Sequence, residues 1–126
     1  MLVNSALQAT LPVVDLDRAR KFYEGKLGLK VVGTDPSPGA LLEAGEGTKL
    51  YIYQRAATKA DHTVASFTVK DVEDEVKELK ANGVTFEDID MPGMGIKTVD
   101  GIATIGGMKA AWFKDTEGNI VAVTSM

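Results

Sequence analysis

The sequence predicts an α+β fold in which two βαβββ modules form a curved, incomplete barrel around a groove. The first observation is an internal repeat, because the stretches "PVVDLD" and "TVKDVE" place Asp15 and Asp71 at equivalent points, 56 residues apart. The second is one helical pattern in each half, and the third is a series of short strand-like segments after each helix. We therefore expect one domain over residues 1–126, built from repeats of about 1–57 and 58–126.

The first half contains a strand, a helix and three further strands. Residues 6–13, "ALQATLPV", have the composition of a strand. Asp15 can cap the helix "DLDRARKFYEGKLGL", whose apolar residues recur at helical spacing, and Gly28 closes it. The segments "KVVGT", "ALLEAG" and "KLYIYQR" follow, separated by glycine and proline.

The second half repeats this plan. "TVASFTV" is a predicted strand, and Asp71 caps the helix "DVEDEVKELKANGV", which ends at Asn82-Gly83. Three acidic residues in the first turn suit the positive end of the helix dipole. "TFEDI", "KAAWFKD" and "NIVAVTS" are then predicted as three strands.

Strand alternation sorts the side chains between two faces of each sheet. One face is covered by the helix, and the other lines the groove. Trp112 and Phe113 are adjacent, so one of them faces the groove, and the pattern leaves open which one. We expect Leu50, Ile52, Val121 and Val123 to face the helices, and Tyr51, Tyr53, Ala122 and Thr124 to face the groove, with Phe67 as a further candidate for its aromatic lining.

Composition excludes several classes of function. The chain has 126 residues, 44% of them hydrophobic and 25% charged, and no cysteine, so disulfides, thiolate metal sites and cysteine nucleophiles are excluded. A net charge of −4 argues against nucleic acid, which requires a basic surface. No signal peptide and no membrane-spanning run are recognisable, and we expect a cytoplasmic protein.

Two motifs and the paired plan resemble the vicinal oxygen chelate superfamily, the group of glyoxalases, bleomycin resistance proteins and extradiol dioxygenases. "LPVVDLDRARKFYEGKLGLKVV" resembles the opening "DL…A..FY…LG" of that family, and "AWFKDTEGNIVAVTS" resembles its closing "DP.GN..E", with Thr116 in place of proline. The stretch "MPGMGIKTVDGIATIGGMKAAWFKDTEGN" is similar to small glyoxalase-like members. The resemblance covers nearly the whole chain and implies fold more strongly than activity.

The resemblance implies four metal-ligand positions, two in each half. They fall on Gln8, on Tyr51 or Tyr53, on Val64 and on Ala122. A divalent ion requires several anionic or imidazole ligands, which this set does not supply. We therefore expect a protein without a metal or other cofactor.

His62 is the chain's single histidine, and it stands two residues before Val64. It shares strand parity with Val64, but we interpret it as a loop or strand-edge residue. The alternative is a metal held by Gln8, His62 and a carboxylate such as Glu43. Glu43 is also a candidate general base or ligand-facing carboxylate, whereas Glu87, Asp88 and Asp90 are interpreted as a solvated strand end.

The predicted function is binding of a small organic molecule in an aromatic groove, without metal. Candidate ligand-binding residues are Gln8, Glu43, Tyr51, Tyr53, Val64, Trp112 and Ala122. One alternative is a metal-dependent glyoxalase-like lyase or isomerase, and another is a structural or regulatory dimer without ligand. A homodimer is expected from the resemblance and from the general preference for two-fold symmetry, with residues 91–108 forming either a flap at the groove or part of the subunit interface.

Overall fold

The computed structural model describes residues 1–125, and the chain divides into two compact units, Met1–Thr58 and Lys59–Met126. Each unit contains one mixed β-sheet and one main helix, which confirms the predicted α+β class. No helix within residues 1–125 is both long enough and apolar enough to cross a membrane.

The first unit has a four-stranded sheet with the order β1-β4-β3-β2. Strand β1 runs parallel to β4, and the other neighbours are antiparallel. The elements are β1 (Ala9–Val13), α1 (Leu16–Lys21), β2 (Lys30–Asp35), β3 (Gly39–Glu43) and β4 (Lys49–Gln54), with short 3-10 turns at Leu2–Asn4 and Gly45–Gly47.

Helix α1 begins after Asp15 as predicted, but it ends at Lys21, and only the helical path as a whole continues to Gly28. The Asp15 carboxylate accepts a hydrogen bond of 3.1 Å from the backbone N–H of Arg18. After α1 the chain continues through one π-helical turn, Phe22–Lys26, and then leaves the helix at Gly28, whose φ is +78°. A positive φ favours glycine, which explains why the helical pattern stops there.

The two faces of the first sheet differ in burial, as alternation predicts. Helix α1 packs against β3 and β4 on the face that carries Leu50 and Ile52. Tyr51 and Tyr53 lie on the opposite face and are half-buried. The fully or nearly fully buried sheet residues on the α1 face are Leu11, Val13, Ala40, Leu42, Leu50 and Ile52.

The second unit has a six-stranded sheet with the order β5-β10-β9-β8-β7-β6. Strand β5 runs parallel to β10, and the other pairs are antiparallel. The elements are β5 (Thr63–Val69), α2 (Val72–Ala81), β6 (Asp90–Met91), β7 (Ile96–Val99), β8 (Ile102–Ile105), β9 (Met108–Lys114) and β10 (Ile120–Ser125), with a 3-10 turn at Pro92–Met94.

The prediction of "TFEDI" as a strand is wrong. Phe86 forms only an isolated bridge to Phe113, and the N–H of Glu87 donates to the carbonyl of Trp112 at 2.7 Å. The third strand of the βαβββ plan is β8 instead. It is reached through a tight hairpin turn at Asp100 and Gly101, which both have positive φ (54° and 83°), as an Asp-Gly turn between antiparallel strands requires.

The choice between Trp112 and Phe113 is decided by the register of β9. Phe113 is fully buried and meets the Phe86 ring edge to face, with centroids 5.6 Å apart. It shares a face with Ala111, which packs against Val72 and Val76 of α2. Trp112 therefore lies on the face away from α2, where it is half-buried.

Candidate functional site

The internal repeat and the strand registers together identify equivalent positions in the two sheets. Thr10 pairs with Tyr51 across β1 and β4, and Ser66 pairs with Ala122 across β5 and β10. Thr10 and Ser66 are separated by the same 56 residues as the two capping aspartates. The counterpart of Ala122 is therefore Tyr51, and the alternative at Tyr53 is excluded by register.

Tyr51 belongs to a polar cluster that we call the Asp35 cluster, made of Asp35, Ser37 and Tyr51. The Tyr51 hydroxyl donates a hydrogen bond of 2.7 Å to Oδ2 of Asp35. Oδ1 of Asp35 accepts hydrogen bonds from the Ser37 hydroxyl and, at 3.0 Å, from the Ser37 backbone N–H. The Ser37 and Tyr51 oxygens are themselves 3.3 Å apart.

These hydrogen bonds set the protonation of the cluster. Donation from the Ser37 hydroxyl, then from the Tyr51 hydroxyl and the Ser37 backbone N–H, lowers the pKa of the Asp35 carboxyl below its ordinary value. Asp35 is therefore a carboxylate at neutral pH.

Gly39 makes room for the Tyr51 ring. It is a buried residue at the start of β3, and it pairs with Asp35 on β2 and with Tyr53 on β4. A Cβ at Gly39 would lie 2.6 Å from Cζ of Tyr51 and 3.0 Å from Oδ2 of Asp35. A side chain at this position would therefore push Tyr51 away from its acceptor.

A second aromatic ring extends the surface beside the Asp35 cluster. The rings of Tyr51 and Tyr53 are nearly parallel, with an interplanar angle of 11° and centroids 6.4 Å apart. Leu41, opposite Tyr51 on β3, shares this face and is half-buried. The face thus combines flat aromatic surface with one fixed carboxylate.

Glu43 and Gln8 do not join the Asp35 cluster. Glu43 is exposed at the other end of β3, about 13 Å along the strand from Gly39, and its carboxylate lies 3.7 Å from the ammonium group of Lys49. Gln8 is exposed and immediately precedes β1. Neither position supplies a group to the polar atoms around Tyr51.

In the second unit, two of the predicted residues are direct neighbours. Trp112 pairs with Ala122 across β9 and β10, on the face away from α2. Ala122 is 2% exposed, so it has little surface with which to contact a ligand. Val64 is half-buried at the β-bulge where the pairing of β5 with β10 shifts register.

The residues at the implied metal positions do not fit a divalent ion. They offer one neutral amide, one phenol already hydrogen-bonded to Asp35, and the alkyl groups of Val64 and Ala122. The side chain of His62 is 71% exposed before β5, and its nearest charged partner is Asp61 at 3.9 Å. Within residues 1–125, no group of three or more His, Cys, Asp or Glu residues is placed to hold a metal.

The "DTEGN" motif holds a turn. Oδ1 of Asp115 accepts hydrogen bonds of 2.8 Å from the backbone N–H groups of Glu117 and Asn119, and Oδ2 accepts one of 2.8 Å from the Asn119 amide. Asp115 and Asn119 are almost fully buried, and Gly118 between them has a φ of +87°. The motif therefore has a structural explanation in the link between β9 and β10.

Sequence reasoning missed Asp35, Ser37 and Gly39. The stretch "TDPSPG" contains a usable signal, since an aspartate followed two residues later by serine favours a turn in which the carboxylate accepts the backbone N–H. Nothing local indicates that Tyr51, 16 residues later, donates to the same carboxylate.

Residues 5–123 match the family model of the Glyoxalase/Bleomycin resistance protein/Dioxygenase superfamily. No curated protein matches the chain significantly.

Solved structures with the same fold cover almost the whole chain. UcmS2 has a TM-score of 0.72 at 18% identity, with 94% of this chain and 97% of that chain covered. The fosfomycin resistance protein FosX from Listeria monocytogenes has a TM-score of 0.71 at 14% identity (95% and 89% covered), and another FosX structure is complexed with Mn(II) and sulfate. Lactoylglutathione lyase from Agrobacterium tumefaciens has a TM-score of 0.67 at 21% identity (96% and 93% covered). At these identities the likeness shows the fold alone.

Proposed function

This chain belongs to the glyoxalase/bleomycin resistance protein/dioxygenase superfamily, and we propose that it is a metal-free member that binds a small organic molecule. The observation that carries the proposal is the tyrosine pair on the face of the first sheet that is opposite α1. Tyr51 and Tyr53 present parallel, half-buried rings, and the Asp35 cluster fixes the first of them. Aromatic side chains bind planar ligands with large contact area and little loss of side-chain freedom.

The metal-free part of the proposal rests on donor chemistry. Tyr51, Val64 and Ala122 stand where the superfamily resemblance implies metal ligands, and none of them is a carboxylate or an imidazole. Gln8 is the single neutral amide of the set. The metal-dependent lyase or isomerase would need donors from Gln8, His62 and a carboxylate such as Glu43, and all three side chains are exposed.

Further roles in ligand binding are proposed for Trp112 and Val64 in the second unit and for Gln8 in the first. The buried Ala122 and the Lys49-paired Glu43 are assigned no such role. Trp112 is the one tryptophan of the chain, so its fluorescence reports on the second unit.

We also propose a cytoplasmic homodimer. Light scattering at micromolar concentration should give twice the chain mass of 13.4 kDa, and the monomer mass would contradict the dimer.

A thermal-shift screen of metabolites and drugs tests the binding function. A ligand at about 100 times its dissociation constant should stabilise the fold by about 2.7 kcal/mol. Tyr51→Ala and Tyr53→Ala should weaken the binding of every true hit, whereas Lys77→Ala, an exposed change on α2, should leave it unchanged. Hits that survive loss of both tyrosines, or a screen without hits, would favour the structural dimer instead.

A further inference from the structure

We propose that the ligand of the tyrosine face is a planar organic cation, and that Asp35 is the residue that selects its charge. This inference rests on the proposed binding function and adds the chemical class of the ligand. It is carried by the hydrogen-bonding capacity of Asp35, by the placement of the two rings, and by the distribution of charge on this face.

The Asp35 carboxylate retains capacity for a ligand. Its two oxygens offer about four acceptor positions. The Ser37 backbone N–H, the Ser37 hydroxyl and the Tyr51 hydroxyl occupy three of them. All three donors are neutral, so they hold the carboxylate in place without cancelling its charge.

No side-chain cation compensates Asp35 within the described residues. Among residues 1–125 the ion pairs join other carboxylates, and in this sheet Lys49 pairs with Glu43. An oriented carboxylate at the edge of an aromatic surface, with no cation of its own, attracts a positively charged ligand and repels an anionic one.

The rings favour the same charge. The face of a tyrosine ring attracts a cation that lies within about 6 Å of its centroid. The Tyr51 hydroxyl donates a hydrogen bond to a carboxylate, which increases the electron density of that ring. The two ring planes are nearly parallel, so a flat cation that stacks on one ring is also nearly parallel to the other, and the Tyr51 hydrogen bond places the Asp35 carboxylate beside this pair. A compact ammonium ion would use less of this aromatic surface.

The other end of the same face carries a different balance of charge. Glu43 pairs in register with Lys30 on β2 and with Lys49 on β4. These three groups lie about 13 Å along β3 from Gly39, beyond the screening length of about 8 Å at physiological salt. Cation selection is therefore assigned to the Asp35 end, and Glu43 provides a matched control.

The test uses the full chain and three planar probes of similar size. The probes are the cation N-methylquinolinium, its neutral isostere 1-methylnaphthalene and the anion 1-naphthoate, each titrated by NMR with the tyrosine ring signals as the readout. We expect the cation to bind about tenfold more tightly than the isostere, a difference of about 1.4 kcal/mol, and the anion to bind most weakly. Raising the salt concentration should reduce this preference in the unaltered protein.

Two substitutions assign the preference to a residue. Asp35→Asn should abolish the advantage of the cation over its isostere, while Glu43→Gln should preserve it. Circular dichroism checks that each variant is folded. The salt titration tests the preference for the cation in the unaltered protein, so it does not depend on the folding of a variant. A preference that survives Asp35→Asn, or one lost in Glu43→Gln, would overturn the assignment to Asp35.

The outcomes separate this inference from the proposed function. Equal binding of cation and isostere, with both dependent on the tyrosines, would overturn the cation class and leave small-molecule binding intact. Failure of all three probes would also overturn the cation class, and the broad ligand screen would then decide the proposed function independently.

Discussion

The Tyr51 hydroxyl donates a hydrogen bond of 2.7 Å to the Asp35 carboxylate, across β3 at the point where that strand has a glycine. The bond joins β4 to the end of β2, two strands that are not direct neighbours in the sheet. It therefore fixes the position of the Tyr51 ring, which occupies the space that a side chain at residue 39 would fill.

Tyr51→Phe should destabilise the protein through the loss of this hydrogen bond. We expect a loss of about 1 kcal/mol, because the partly exposed setting reduces the contribution below the range for hydrogen bonds to charged groups. Urea denaturation measures the free energy of unfolding. Tyr53→Phe is the control, because the described structure gives that hydroxyl no hydrogen bond, and equal losses in both variants would contradict the role of Asp35 as the acceptor.

Gly39→Ala should cost about 1–3 kcal/mol, since the new methyl group would overlap the Tyr51 ring and force it off the carboxylate. Gly33→Ala is a matched control on the neighbouring strand, where the nearest atom to a Cβ is Leu41 Cβ at 4.0 Å. Thermal or urea unfolding compares the two. Equal stability of Gly39→Ala and Gly33→Ala would contradict the close packing of the Tyr51 ring against β3 at Gly39.

Asp35 should make the stability of the protein dependent on acid pH. Its pKa is lower in the folded state than in the unfolded chain, so its contribution is fully present above the unfolded value of about 3.9. The contribution is lost as the pH falls from there through the lowered folded pKa. Urea unfolding measured at pH 6 and again in this acid range should show that Asp35→Asn loses less free energy of unfolding than the unaltered protein. Equal losses in the two proteins would contradict the role of the Asp35 cluster in stability.

The purified protein should contain no stoichiometric Zn, Ni, Mn or Fe, because the implied ligand positions lack anionic and imidazole donors. Elemental analysis measures the content directly, and added Mn(II) or Ni(II) should leave the melting temperature unchanged. A content of about one metal per chain that is lost in Gln8→Ala or His62→Ala would contradict the metal-free proposal and favour the metal-dependent lyase or isomerase.

The fold was predictable because its signals are local. The caps at Asp15 and Asp71 act on N–H groups three residues away, and alternation along a single strand placed Ile52 and Tyr53 on opposite faces. The failure at "TFEDI" has a local cause as well. An Asp-Gly turn at residues 100 and 101 offered a stronger hairpin signal than the β-like composition of 85–89.

The sequence by itself determined the duplicated plan, the capping residues of the two helices, the family resemblance and the lack of metal-binding side chains at the implied ligand positions. These depend on residue types and on spacings of a few residues, or on one long repeat. Tertiary structure alone decided that Tyr51 is the counterpart of Ala122, that Trp112 lies away from α2, and that Asp35 meets Tyr51. Each of these depends on strand register, in which a shift of one residue moves a side chain to the other face, and register is set by the packing of the whole sheet.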